Sequence, residues 1–372
     1  MTQFVQLHLL AAYPPSNPNR DDTGRPKTAM IGGSQRQRIS SQSLKRAWRE
    51  SKIFEKMLKS HLGTRTRLMG LEIKNGLTKG GMEEKAAIEA ACRIAEVFGK
   101  LDGNAPLEIK QLAHFSPEER TAIETLTVKL LQGSKLEDAD LNLLRKQHTA
   151  ADIALFGRML ADASDFNTEA ACQVAHAFTV HKVALEDDYF SAVDDLNKLK
   201  GHGGFAFGSE TGFGSGLYYL YLCVDTDSLK KNLSDNADLA RTTLEALLES
   251  AATVAPSGMQ NRFGNRVAAS YILVERGDQQ PRSLAAAFFK PVSGEGWIEP
   301  AIEQLEKLLD NMDKVYGVRA HARQRVNLSD GNGGEWEANT PEWKNLVSKE
   351  KEKEKKTLLD LLKDFVGGVY DA

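Results

Sequence analysis

Residues 217–224 read LYYLYLCV, an aromatic and aliphatic run that is the clearest β-strand in this 372-residue sequence. A helical pattern follows over Asp235–Ala252, and a further strand is predicted over Val267–Glu275. A strand, a helix and a strand in this order form one half of a split βαβ arrangement. The upstream residues must therefore supply the other half.

Three upstream elements complete the pattern. Phe4–Ala11 alternates in the period of two that is typical of a strand buried mainly on one face. Ser40 or Ser41 is a ready N-cap for an amphipathic helix that reaches Leu58. Ala171–Val183 allows a strand or a helix, and we favour the strand. The resulting order predicts an α+β fold with a modified ferredoxin-like palm of the RNA-recognition type.

Longer segments interrupt this core. Tyr13–Arg38 has prolines or glycines in every window, which predicts a long irregular loop. Asp187–Gly216 is rich in glycine, which predicts a flexible loop or projecting hairpin. Residues 82–148 predict an inserted lobe of three helical pieces, one of which begins at an N-capping Ser116 followed by Pro117. Two tail helices are expected over Ile298–Tyr316 and near 341–366.

Positive charge is concentrated in one segment. The chain carries 48 Lys and Arg against 51 Asp and Glu, a net charge of −3, which excludes a uniformly basic nucleic-acid-binding surface. Nine basic and three acidic residues between Arg20 and Lys52 give +6 there and leave −9 for the rest. A helix N-terminus beside Lys and Arg suits phosphate, and Gly32 and Gly33 allow a backbone to approach closely. On charge alone, an exposed basic loop remains an equal alternative.

Sequence patterns typical of enzymes are absent. Cys92, Cys172 and Cys223 form no CxxC pair, and no phosphate-binding P-loop or hydrolase motif occurs. His176 and His181 have no second ligand pair to complete a metal site. We therefore expect no catalytic residue, no metal and no cofactor. The lack of a signal peptide and of any apolar span of about 18 residues predicts a soluble cytoplasmic protein with no membrane partner.

Five stretches of the sequence carry a family resemblance. They are Asn19–Asp22 (NRDD), Ile31–Ala47 (IGGSQRQRISSQSLKRA), Ala154–Met159 (ALFGRM), Ala175–His181 (AHAFTVH) and Asp188–Asp195 (DYFSAVDD). Together they resemble the CasC family, the CRISPR RNA-binding backbone subunit of type I-E Cascade. RISSQSLKRA is the most specific of them, and the last third of the chain adds less.

The resemblance implies a hand-like division of the chain. The palm would comprise residues 1–61, 166–186 and 217–372, the last with the C-terminal helices, while 62–165 would be helical fingers and 187–216 a β-hairpin thumb. It also implies a non-catalytic subunit that oligomerises along the CRISPR RNA spacer and holds it, independently of sequence, for pairing with target DNA in antiviral defence. The expected partners are CRISPR RNA, target DNA through that guide, neighbouring copies, and the large, small, 5′-end-binding and 3′-end-binding Cascade subunits.

The resemblance also implies a set of RNA-binding residues. Basic side chains would neutralise phosphates, and Ser or Gln would hydrogen-bond to phosphate or sugar without reading sequence. Phe166 and Ser209 would flank a displaced nucleotide, although the local sequence departs from the family there. The full set is Arg20, Lys27, Gly32, Gly33, Ser40, Gln42, Lys45, Arg46, Arg49, Phe166 and Ser209.

Two alternative functions stay open at this point. Asp21 and Asp22 invite comparison with related backbone subunits in which an Asp of the first loop cleaves RNA, which would make the chain a metal-dependent ribonuclease. The type I-E pattern instead assigns these residues a structural role. The second alternative is a protein-interaction module whose basic loop is incidental.

Overall fold

The computed structural model describes residues 3–193, 205–329, 335–337 and 358–370, which form a mixed structure around a large antiparallel sheet. The α+β class predicted from the sequence is confirmed. The strands, in chain order, are β1 (Phe4–Ser16), β2 (Thr28–Ile31), β3 (Ser34–Ile39), β4 (Thr64–Thr66), β5 (Leu101–Asp102), β6 (Ala105–Ile109), β7 (Ala113–Phe115), β8 (Cys172–Val174), β9 (Ala177–Thr179), β10 (Glu186–Val193), β11 (Phe205–Asp225), β12 (Tyr271–Gly277), β13 (Ala322–Asn327) and β14 (Glu335–Glu337).

The α-helices are distributed along the whole described chain. They are α1 (Ser41–Arg49), α2 (Lys52–Leu58), α3 (Met69–Lys79), α4 (Glu84–Glu96), α5 (Pro117–Leu131), α6 (Ala151–Phe156), α7 (Thr226–Asn232), α8 (Ala237–Thr253), α9 (Gln260–Phe263), α10 (Ile298–Tyr316) and α11 (Leu358–Tyr370). Helix α10 has the bounds predicted for it. The part of the second predicted tail helix before residue 358 lies outside the described residues. None of the described helices is both long enough and apolar enough to cross a membrane.

The chain divides into two compact units. Within the described residues, the first unit takes those of Met1–Ile53, Val174–Cys223 and Leu247–Ala372. The second takes Phe54–Gln173 and Val224–Ala246. The five-part palm, fingers and thumb division stays a prediction.

The sheet of the first unit has the strand order expected for a split βαβ core. Along its main path the order is β14-β13-β12-β1-β11-β9-β3-β2, with β8 and β10 also pairing with β11. Its four central strands, numbered along the chain, lie in the order fourth, first, third, second. Strands that are neighbours in the middle of the sheet thus come from distant parts of the sequence, as the predicted element order requires.

Strand β1 is buried on both faces, so the expectation of burial mainly on one face is wrong. Val5 to Leu10 are all buried, including Gln6 and His8. The polar side chains find buried partners: Gln6 Oε1 accepts from the Tyr221 hydroxyl at 3.0 Å, and His8 Nδ1 lies 2.9 Å from the Tyr219 hydroxyl. Hydrogen bonding therefore offsets the cost of burying them.

Helices cover both faces of this sheet. Leu44 and Trp48 of α1 are buried and line one small cavity with Leu9 and Tyr218 of the sheet. On the other face, α10 packs its apolar side into a core that contains strand side chains such as Leu273. Because Leu44 and Trp48 face the sheet, the opposite side of α1 faces solvent.

The segment predicted to be an irregular loop, Tyr13–Arg38, is largely ordered as strands, and this prediction is wrong. Strand β1 continues to Ser16, and β2 and β3 form a hairpin in which Ile31 pairs with Ser34. The two-residue turn between them is Gly32-Gly33, with φ of 58° and 74°. Positive φ at both positions is the geometry of a type I′ hairpin turn, which Gly-Gly favours.

The glycine-rich segment before residue 217 also forms a strand within its described part. Residues 205–216 belong to the 21-residue β11. Neighbouring side chains fill the space that a Cβ on Gly214 or Gly216 would need. A Cβ on Gly214 would lie 2.7 Å from Gln37 Oε1, and one on Gly216 would lie 2.7 Å from His181 Nε2. These glycines permit close packing, so the role of flexibility assigned to them from the sequence is replaced by a steric one.

The second unit is helical with small sheets at its edges. Its core includes buried residues of α3, α4 and α5. The predicted cap at Ser116 is confirmed as a capping box, in which Ser116 Oγ accepts from Glu119 N and Glu119 Oε2 accepts from Ser116 N. The third predicted helical piece is only a 3-10 turn at Asp138–Leu141, and α3 was not predicted.

Candidate nucleic-acid interface

An open polar groove of about 650 Å³ lies in the first unit beside the exposed side of α1. Three segments surround it: the chain after β1, helix α1, and the loop before α9. Its lining residues are Pro18, Asn19, Arg20, Asp21, Asp22, Gly24, Ser43, Arg46, Ala47, Glu50, Pro256, Ser257, Gly258 and Met259. Of the predicted RNA-binding residues, Arg20 and Arg46 lie in this lining.

Asn19 and Ser40 build the corner of the groove. The Ser40 side chain caps α1 by accepting from Ser43 N at 3.3 Å, and its own backbone N–H donates to Asn19 Oδ1 at 2.9 Å. The loop after β1 is thereby tied to the start of α1. Because the first four N–H groups of a helix have no helical partner and the Ser40 side chain accepts from only one of them, this corner favours an anion.

The charged residues of α1 form a partly self-neutralised row. Arg46 Nε is 3.0 Å from Glu50 Oε1, and Arg49 Nη2 is 3.6 Å from the same oxygen. Gln42 is exposed and Lys45 is half-buried. The Arg46 and Glu50 side chains are 72% and 51% exposed, so their i,i+4 pair stabilises the helix by only about 0.3–0.5 kcal/mol. A phosphate could displace Glu50 from Arg46 at small cost.

A tight loop presents Arg20 at the groove. The backbone of Arg20 pairs with that of Pro26 in an isolated antiparallel β-bridge. In the loop between them, Asp21 Oδ1 accepts hydrogen bonds from Thr23 N, Thr23 Oγ1 and Arg25 N, all within 2.9 Å. The Thr23 hydroxyl is the main reason that the pKa of Asp21 is below its ordinary value. This carboxylate therefore acts as the brace of the loop that holds Arg20.

A second group of basic side chains lies on and beside the adjoining strands β2, β3 and β9. Arg38 Nη1 is 3.0 Å from His176 Nδ1, and Arg38 Nε donates to Thr28 O at 3.2 Å. Lys27 is close enough for its charge, with that of Arg38, to lower the pKa of His176, which partial burial lowers most. The structure thus joins Lys27 with two residues outside the predicted set.

Arg36 contributes nothing to this surface, although the sequence counts it in the basic segment. Its side chain is buried, and its guanidinium donates to Thr179 O at 2.8 Å and Phe288 O at 2.9 Å. Burial lowers its pKa. The surface charge of the segment is correspondingly smaller than the sequence suggests.

The predicted glycines lie in the β2–β3 turn and do not line the groove. A Cβ on Gly32 would coincide with the carbonyl of Phe289, whereas Gly33 has open space around it. The close approach expected at Gly32 is therefore made by this chain's own backbone. Gly33 alone is open to a ligand.

The hairpin of β10 and β11 carries the predicted Ser209, which pairs in register with Phe190; the Ser209 side chain is outside the described residues. Tyr189, which directly precedes Phe190 on β10, is 63% exposed and was not singled out from the sequence. An exposed aromatic ring on a strand can stack on a base. The signal that could have identified it is the YF pair within the quoted DYFSAVDD motif.

Arg262 of α9 holds the base of this hairpin by both strands. Its Nη2 donates to Asp188 Oδ2 at 2.8 Å on β10, and its Nη1 donates to Thr211 Oγ1 at 3.0 Å on β11. Its guanidinium also lies 4.1 Å from the centre of the Phe190 ring. Because α9 directly follows Met259, one short segment both lines the groove and fixes the hairpin.

Replacing Arg262 with alanine is expected to loosen the hairpin base. Two charge-assisted hydrogen bonds and a ring contact are lost, so amide exchange near Asp188 and Thr211 should accelerate by roughly tenfold. Arg25→Ala is the matched control, since its pair with Asp187 is 3.7 Å long and well exposed, and exchange should barely change. Equal protection in the wild type and Arg262→Ala, measured by hydrogen–deuterium exchange, would show that Arg262 does not hold the hairpin.

Phe166 lies in the second unit, half-buried against the core there. Arg158 Nη2 donates to Phe166 O at 3.0 Å, and Lys146 Nζ lies 5.7 Å from the ring centre. Met159, one residue after Arg158, is 78% exposed. This loop therefore offers an apolar side chain at its surface.

Potential metal ligands do not gather in the described part of the chain: it contains no group of three or more His, Cys, Asp or Glu side chains placed to hold an ion. Asp22 and Glu50 line the groove with Asp21, whose Oδ1 is engaged by the loop. The chemistry that the groove offers is hydrogen bonding and charge neutralisation.

Comparisons with known proteins agree with this architecture. One solved chain, from a "CRISPR RNA-guided surveillance complex, pre-nicking", is 26% identical with a TM-score of 0.79; the match covers 99% of this chain and 100% of that one. A second, from a "CRISPR RNA-guided surveillance complex", is 24% identical with a TM-score of 0.70 over 98% of this chain and 99% of that one, and shows a shared fold. No curated protein sequence matches significantly.

The family is shown by the sequence profile that matches nearly the whole chain. The profile of CT1975-like proteins covers residues 5–349, which include the groove, all of the second unit and most of the first. The chain belongs to the family of CT1975-like proteins.

Proposed function

We propose that this chain is a CRISPR RNA-binding backbone subunit of a Cascade-like surveillance complex. The observation that carries the proposal is the groove beside α1, which Arg20 lines from the loop after β1 and Arg46 lines from the last turn of α1. Membership of the CT1975-like family and the 26% identical chain of a CRISPR RNA-guided complex support it. The finer assignment to type I-E rests on the CasC-like motifs.

The groove suits the RNA backbone better than the bases. Guanidinium groups and helix N–H groups neutralise and bind phosphates, which carry no sequence information. We propose that spacer RNA is held without regard to its sequence and paired with target DNA, by copies that assemble along it with the other Cascade subunits. The exposed Tyr189 ring is a candidate to contact a base beside the phosphate sites.

The proposed subunit is not an enzyme. Asp21, one of the two residues that a ribonuclease could use, accepts three hydrogen bonds on Oδ1 from its own loop. Incubating the purified complex with complementary RNA and magnesium tests this point. A ribonuclease would degrade the RNA over time and would lose that activity in Asp21→Ala or Asp22→Ala.

The central test is co-expression of the full chain and its partner subunits with a CRISPR array, followed by sequencing of the RNA that copurifies. The proposal expects transcripts of spacer length. Random cellular RNA, or none, would contradict it. A protein-interaction module would additionally show no salt-dependent affinity for RNA.

Ser40 separates capping from RNA binding. Ser40 is buried, and Ser40→Asn and Ser40→Asp both keep a capping oxygen and add the same volume, so their free energies of unfolding should lie close to each other, whereas Ser40→Ala should lower the free energy of unfolding by about 1 kcal/mol. Ser40→Asp also adds a negative charge where phosphate is proposed, so RNA affinity should fall by roughly tenfold. Urea unfolding and fluorescence anisotropy measure the two effects. Equal RNA affinity of the Asn and Asp variants would remove Ser40 from the site.

A further inference from the structure

Three cationic or titratable side chains gather beside the paired strands β3 and β9, and no acidic partner for them occurs among the described residues. They are Lys27, Arg38 and His176, and Arg38 and His176 are in direct contact at 3.0 Å. Among the described residues, the charges that act on the His176 ring come from Arg38 on β3 and Lys27 ahead of β2; β8, β9 and β11 contribute none. Like charges gathered in this way favour an anion between them.

The contact fixes the protonation of His176 in the free chain. A guanidinium can only donate, so His176 Nδ1 must offer a lone pair, and the remaining ring proton is on Nε2. Partial burial and the neighbouring Arg38 and Lys27 hold the pKa of His176 below its ordinary value. The ring is therefore neutral near pH 7.

This cluster adjoins the groove through Asn19. The Asn19 carbonyl accepts from Lys27 N at 2.9 Å, while its side chain accepts from Ser40 N, and Asn19 itself lines the groove. Lys27 O in turn accepts from Arg38 N at 2.8 Å. A chain of phosphates leaving the groove over Asn19 would therefore meet Lys27 and Arg38.

We propose that Lys27, Arg38 and His176 form a second phosphate subsite, and that an RNA phosphate bound there favours the protonated form of His176. This inference rests on the proposed RNA-binding function. The proton comes from solvent and binds to His176 Nδ1. The hydrogen bond from the Arg38 Nη1–H group to Nδ1 is thereby lost, and this N–H group donates to the phosphate instead. The phosphate charge then offsets the repulsion among three cations.

The linkage has a definite sign. A phosphate stabilises the charged ring, so the pKa of His176 is higher in the complex than in the free chain. RNA affinity must then rise as the pH falls through the interval between the two values, by at most about tenfold per pH unit for one proton. Below both values the affinity no longer depends on this group.

The experiment measures binding of the full-length chain to single-stranded oligouridine, whose bases do not titrate near neutral pH. Fluorescence anisotropy between about pH 6 and pH 8 gives the pH slope, and calorimetry in two buffers of different ionisation enthalpy counts the protons taken up. His176→Gln keeps an oxygen that Arg38 can donate to but cannot be protonated. His321→Gln is the matched control, because His321 is an exposed histidine paired with Asp278 at 3.1 Å.

The wild type and His321→Gln should bind roughly threefold or more tightly at the lower pH and take up a fraction of a proton, and His176→Gln should do neither. Binding with the same pH slope in wild type and His176→Gln, or with no slope in the wild type, would overturn the subsite while leaving the proposed function intact. Failure to bind oligouridine at any pH would overturn both.

Discussion

Replacing Arg20 and Arg46 together with alanine should weaken binding to single-stranded RNA by about tenfold at physiological salt, whatever the RNA sequence. Both side chains line the groove beside α1. Each phosphate contact on single-stranded nucleic acid contributes about 0.7 to the slope of log affinity against log salt. The double variant should therefore lose roughly 1.4 from that slope, measured by anisotropy over a salt series.

The control removes the same charge elsewhere. Lys307 and Lys314 are exposed on α10, and their double alanine variant should keep the wild-type slope. Glu50→Gln should act in the opposite direction, since it frees Arg46 and Arg49 from a competing carboxylate. If both double variants lose the same affinity, long-range charge and not the groove accounts for binding.

Glu119→Ala should destabilise the second unit by about 3–5 kcal/mol. Arg158 Nη1 donates to Glu119 at 2.7 and 2.9 Å, and both side chains are almost fully buried. Glu119 also accepts from Ser116 N and Arg145 N. Its removal leaves a buried guanidinium without its charge partner, and native-state hydrogen exchange of the α5 amides should report the loss.

A double-mutant cycle separates the pair from its surroundings. Arg158→Met should also be strongly destabilising, but Glu119→Ala with Arg158→Met should cost much less than the two singles together, because no lone charge stays buried. Glu72→Ala is the matched control in the same unit: its 2.6 Å pair with Arg120 is partly exposed and should be worth at most about 1 kcal/mol. Additive single effects would show that the buried ion pair is not coupled.

The local signals in the sequence predicted the elements well where one side chain decides the outcome. Ser40 and Ser116 are both caps, because a hydroxyl at the first position satisfies a helix N–H without help from distant residues. Helix α10 has no side-chain cap, and it keeps its predicted bounds because its apolar stripe is periodic along the chain itself. The hairpin at Gly32-Gly33 was missed although its turn signal is local, because the surrounding prolines suggested irregularity.

The groove was predicted only in part. Arg20 and Arg46 could be named from the resemblance and the local charge, but the segment from Pro256 to Met259 that completes the lining is more than 200 residues away in the sequence. The contact between Arg38 and His176 joins positions 138 residues apart, and Arg262 reaches the hairpin across 74 residues. The pairing of distant strands and the packing of a helix against them bring such residues together, and the sequence carries no periodic pattern that links them.

The sequence by itself determined the α+β class, the order of the core elements and the basic segment, because hydrophobic period, capping and charge are properties of neighbours along the chain. Only the tertiary structure decided which of those charges are usable. It buried Arg36 under two backbone carbonyls and placed Lys27 and Arg38 beside His176. The reason is physical: the free energy of a charge depends on its burial and on the groups that surround it in space.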